Sequence, residues 1–93
     1  MLTPRILEEC RYNRFEWNNG TIIEYWKPLA ANDDFDHKVC VRFGEWKDEP
    51  FSVYIVALHS MYNCKHIKTI SDLEKLYTLL SGRTPNKSIN PTS

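Results

Sequence analysis

The chain has 93 residues, 42% of them hydrophobic, and its twelve Lys and Arg side chains balance twelve Asp and Glu exactly to a formal net charge of zero. That length holds one domain with a single modest core, and the three Trp, five Tyr and four Phe supply enough apolar surface to exclude wholesale disorder. The basic excess of a dedicated nucleic-acid binder is missing, as is the run of about 18 apolar residues that a membrane span needs.

Leu2-Thr3-Pro4 starts a short helix, with Thr3 as cap and Pro4 at the first helical position, where its missing N–H costs nothing. Ile6, Leu7 and Cys10 share one face of it, and the helix is expected to end near Arg11. Asn18-Asn19-Gly20 supplies the positive φ angles of a tight turn between strands at Arg14–Trp17 and Thr21–Lys27, and Pro28 closes the second strand. Residues 31–36 are polar and read as a loop. His37–Phe43 alternates as a further strand, and Gly44 to Pro50 is turn-rich. Phe51–Leu58 is the most hydrophobic run and is expected to be buried on both faces or nearly so, and His59 to His66 reads as a loop. Ser71 and Glu74 have the capping-box spacing at the start of a last helix, whose stripe is Leu73, Leu76, Tyr77 and Leu80 and whose C-cap is Gly82. Residues 83–93 are polar, carry two prolines and read as a disordered tail behind a single domain at 1–82.

The fold class expected is α+β: a short N-terminal helix, an antiparallel meander of three to four strands, and a C-terminal helix packed on one face. The first nine residues contain no apolar signal core and include Glu8 and Glu9, and the cysteines at 10, 40 and 64 are odd in number and widely spaced. Both features favour a cytoplasmic setting.

Two segments resemble a family of small proteins common in Bacteroidetes and their phages. Leu2-Thr3, Ile6-Leu7 and Cys10-Arg11-Tyr12 are similar to that family's Leu-Thr-capped helix, except that Arg11 stands where a glycine is usual. Near the end the family carries a segment close to I-K-Y-V-H-Q-L-Q-N-L-Y-F-A-L-T-G. Residues 67–82 resemble it at Ile67, Lys68, Ile70, Leu73, Leu76, Tyr77, Leu80 and Gly82, with Ser71-Asp72 in place of His-Gln. The resemblance covers about a quarter of the chain. It implies the fold and a phage or mobile-element setting, and it implies no activity.

His59, Cys64 and His66 are good ligand types for zinc but fall short of the four a closed site wants, and a Cys64–His66 nucleophile pair lacks a third orienting group. No metal or cofactor is therefore assigned. Asp33, Asp34 and Asp36 lack the glycine and terminal glutamate of a calcium loop, so they read either as a solvated loop or as a mimic of nucleic-acid phosphates. Residues 31–50 hold six acids and three bases, and residues 51–93 hold five bases and two acids, so the zero total conceals a −3 middle and a +3 end. Trp46 lies in the polar segment Gly44–Glu49 and is either a flap over the core or an anchor for a partner. Arg11, Arg14, Phe15 and Trp17 interleave bases with aromatics as a surface for stacking single-stranded nucleic acid would.

No motif for phosphate binding, hydride transfer or triad hydrolysis is present. The expected function is that of a small non-catalytic binding protein, of phage or mobile-element type, that occupies a host protein or ribonucleoprotein complex. An anti-CRISPR protein blocking a nuclease effector is one instance. Asp33, Asp34, Asp36 and Trp46 are its expected contact residues. The alternatives are a nucleic-acid-binding phage regulator using Arg11, Arg14, Phe15 and Trp17, and a structural subunit that oligomerises through a sheet edge.

Overall fold

A computed structural model of the chain describes residues 1–29 and 36–82. Helix α1 spans Pro4–Glu9, with Thr3 Oγ1 accepting from the Ile6 N–H at 3.2 Å and Pro4 in the first turn. Five strands follow: β1 (Asn13–Trp17), β2 (Ile22–Pro28), β3 (Lys38–Phe43), β4 (Ser52–Ala57) and β5 (Ser60–Asn63). They pair in chain order as an antiparallel meander. Helix α2 spans Ile70–Ser81 and ends at Gly82, whose φ of 74° gives the left-handed cap expected of it. The class is α+β, as the sequence predicts.

Strand alternation sends successive side chains to opposite faces, and directly paired residues share a face. Tyr25, Val41 and Val53 are paired in line across β2, β3 and β4. With Val39 they meet Leu2, Leu7, Leu73 and Tyr77 in one buried core, so both helices cover this face. Tyr25 also donates from its hydroxyl to Glu8 Oε2 at 2.7 Å, which fixes α1 against the sheet. Lys27 projects into the same layer, with Nζ 4.5 Å from the centre of the Tyr12 ring and 5.3 Å from that of Tyr77.

Three details differ from the expectation. Residues 60–63, expected in a loop, form β5, because Leu58 and His59 both adopt positive φ (53° and 67°) and close a two-residue hairpin. The cap of α2 is Thr69, whose Oγ1 accepts from the Asp72 N–H at 3.2 Å, and Ser71 lies inside the helix. In β4, residues 52–54 are buried and residues 55–57 only partly so. The tail at 83–93 and the acidic positions Asp33 and Asp34 lie outside the described residues.

Candidate functional site

No helix of the described residues covers the second face of the sheet, yet its centre is buried. Glu24 is fully buried there, paired directly across from Arg42. Its Oε1 accepts from Arg42 Nε at 2.9 Å and from Trp17 Nε1 at 3.1 Å, and its Oε2 accepts from Lys38 Nζ. A lone carboxylate in such a place would be severely destabilising, and three charge-assisted or polar donors are what make its burial tolerable.

The aromatic residues supply the cover. The Arg42 guanidinium lies 5.6 Å from the Trp17 ring centre and 5.4 Å from that of Tyr54, and Lys38 Nζ lies 5.7 Å from that of Trp26. Burial alone lowers the pKa of Arg42, but the hydrogen bond to Glu24 and the charges of Glu24 and Glu45 hold it above its ordinary value. Cys40 sits fully buried at the centre of β3, and burial reinforced by the Glu24 charge pushes its thiol up to about 12.

From Arg42 the network runs outward to the rim. Arg42 Nη1 donates to Glu45 Oε2 at 3.2 Å, and the Tyr54 hydroxyl donates to Glu45 Oε1 at 2.9 Å while accepting from Trp46 Nε1 at 3.3 Å. Trp46 is thereby held by its edge with 53% of the residue exposed. Its partner Tyr54 belongs to the helix-free face, so Trp46 is no flap over the helix-packed core. Phe15 and Trp17 complete the rim, edge to face at 4.8 Å and 72°. Three exposed rings thus border a buried ion cluster.

The other expected residues are scattered. Asp36 is exposed just before β3. Arg14 alternates to the helix side of β1, opposite Tyr25, and its Nη1 contacts Glu16 Oε2 at 2.6 Å. Arg11 is exposed in a left-handed turn after α1. The sheet thus separates Arg14 from Phe15 and Trp17, which the sequence groups together. His59 occupies the β4–β5 turn, and Cys64, half-buried after β5, directs Sγ to the Tyr62 carbonyl at 3.7 Å. Burial raises the pKa of Cys64, and of Cys10 with help from Glu74, so neither thiol is poised as a thiolate. Among the described residues, no three His, Cys, Asp or Glu side chains gather as a metal site, and no helix is long and apolar enough to cross a membrane.

Sequence reasoning passed over Glu24, Lys38, Arg42 and Tyr54. The available signal was an acid inside the β-branched and aromatic run Ile22–Trp26, followed by a strand with a base two residues to either side of its centre, Lys38 and Arg42 around Cys40. No protein-family model, curated protein or solved structure matches the chain.

Proposed function

We propose that the protein is a non-catalytic binding module that occupies the surface of a macromolecular partner through the helix-free face of its sheet. The observation that carries this reading is Trp46: a large ring, more than half exposed, whose orientation is fixed by Tyr54 and Glu45 before any partner arrives. Binding hot spots are rich in Trp, Tyr and Arg, and an anchor already held in place loses little freedom on binding. Phe15 and Trp17 extend the apolar rim, and Asp36, with Asp33 and Asp34 in the neighbouring sequence, supplies acidic groups suited to a basic groove. The resemblance to small Bacteroidetes and phage proteins sharpens the proposal to an accessory protein that inhibits a host protein or ribonucleoprotein, an anti-CRISPR being one instance.

Capture from a host lysate with the full chain as bait tests the reading. The wild type should retain a discrete partner at moderate salt, Trp46→Ala should lose it while keeping the wild-type circular dichroism, and reversal of the three aspartates should weaken it. Retention of the partner by all variants would refute the mechanism. The nucleic-acid alternative draws support from the exposed Phe15–Trp17 pair alone, since Arg14 is on the other face and engaged by Glu16. A salt-steep shift with single-stranded RNA or DNA that Trp17→Ala abolishes would favour it instead.

A further inference from the structure

Strand β5 forms one edge of the sheet, and among the described residues only β4 pairs with it. All of Ser60, Met61, Tyr62 and Asn63 are exposed. Exposed edges are usually blunted by charge, proline or a bulge. The opposite edge, β1, carries Arg14 and Glu16, whereas β5 carries no charge and no proline. At its hairpin tip Leu58 is 77% exposed.

The hydrogen-bonding pattern of this edge follows from its register. The Cys64 N–H donates to the Val53 carbonyl at 2.8 Å, which continues the β4–β5 register by one pair. Bonded and non-bonded pairs alternate in an antiparallel ladder. Ile55–Tyr62 and Ala57–Ser60 are therefore bonded pairs, and Tyr54–Asn63 and Val56–Met61 are not. Consequently the backbone N–H and C=O of Met61 and Asn63 point away from the sheet.

We propose that this edge receives the same edge of a second copy of the chain, antiparallel about a two-fold axis at Tyr62. In that register Met61 of each copy faces Asn63 of the other, and every outward N–H meets an outward C=O. Tyr62 meets its own counterpart at a non-bonded position, where Cα atoms approach to about 4.5 Å and aromatic pairs are favourable. A slip of one residue sets outward groups against inward ones, and a slip of two leaves the outward groups of only one residue in each strand bonded to the other strand. The strand has no charge with which to select a foreign peptide, while its own sequence satisfies the whole edge and brings no like charges into opposition. The contact is isologous and closes at two copies. So short an edge falls below the roughly 1,200 Å² typical of stable interfaces, so the dimer forms with rising concentration.

Sedimentation velocity on the full chain, from micromolar to millimolar, should show the mass rising twofold from 11.0 kDa. Tyr62→Lys should stay monomeric throughout, and Leu79→Lys, altered at an exposed position on α2, should dimerise as the wild type does. Amide exchange on the wild type supplies a readout that needs no variant: Met61 and Asn63 should gain protection with concentration, while Ser60 and Tyr62 are protected at every concentration. A wild type that remains monomeric at millimolar concentration overturns the proposal and leaves the edge to a foreign strand. A dimer that survives Tyr62→Lys, or one without new protection at Met61 and Asn63, overturns it equally.

Discussion

Glu24 and Arg42 face each other across β2 and β3, Oε1 accepting from Nε at 2.9 Å, with the carboxylate fully buried and no helix of the described residues above it. Removing the acid alone takes from Lys38, which is 2% exposed, and from Arg42 the buried carboxylate they share, leaving Glu45 to face Arg42. Breaking a buried pair in this way typically costs about 3–5 kcal/mol. Glu24→Ala is expected to lose stability in that range by urea denaturation. Because a buried ion pair is itself a weak stabiliser, Glu24→Leu combined with Lys38→Met should recover much of the loss.

Cys40 makes the protein sensitive to alkali. Its pKa rises from the ordinary 9.0 to about 12 in the folded chain, chiefly through burial. Between those values the unfolded thiol has released its proton and the folded one has not, so the unfolded state is favoured as pH climbs. The contribution is complete below pH 9.0 and is lost toward about 12, with a slope of at most about 1.4 kcal/mol per pH unit. Cys40→Ala should flatten the fall of urea midpoint with pH above 9.0 compared with the wild type, whatever it costs at neutral pH.

The α2 cap separates spacing from geometry. Thr69→Ala removes the acceptor of the Asp72 N–H and should cost about 1 kcal/mol, whereas Ser71→Ala, inside the helix, should change stability by less than about 0.5 kcal/mol. Equal losses for the two would restore Ser71 as the cap.

Leu58 and His59 form a two-residue turn in which both residues take a left-handed conformation that Asn and Gly adopt at much lower cost. Leu58→Asn with His59→Gly should therefore raise stability by about 1 kcal/mol, read as a higher melting temperature. An unchanged or lower value would mean that the exposed Leu58 side chain contributes more than its backbone conformation costs.

The β1–β2 and β4–β5 turns differ in what their residues reveal. Asn18-Asn19-Gly20 announces the β1–β2 connection because its residue types fit positive φ, and Gly82 announces the end of α2 for the same reason. Leu58-His59 carries no such signal, and Ser60–Asn63 has no β-branched residue, so β5 is invisible until β4 offers it a partner. Trp46 stands out in the sequence because it is a large ring among charges. Glu24 does not, because its counter-charges lie 14 and 18 residues away and only the β2–β3 register brings them to one face. Local chemistry is legible from local residues; a cluster assembled by strand pairing is not.

One property of the Glu24 cluster bears on how a complex would respond to its medium. Glu24 and Glu45 against Lys38 and Arg42 sum to zero, and each charge is already engaged by another. A ligand seated on Trp17 and Trp46 would meet rings backed by a neutral assembly, with no net field for dissolved ions to weaken. Shortening the Debye length from about 10 Å at 0.1 M to about 3 Å at 1 M should scarcely alter that part of its affinity. In the proposed complex, any attraction between the carboxylates of Asp33, Asp34 and Asp36 and a basic groove would weaken over the same interval. Ionic strength would thus separate the part of the aromatic rim from that of the acidic segment in the complex proposed above.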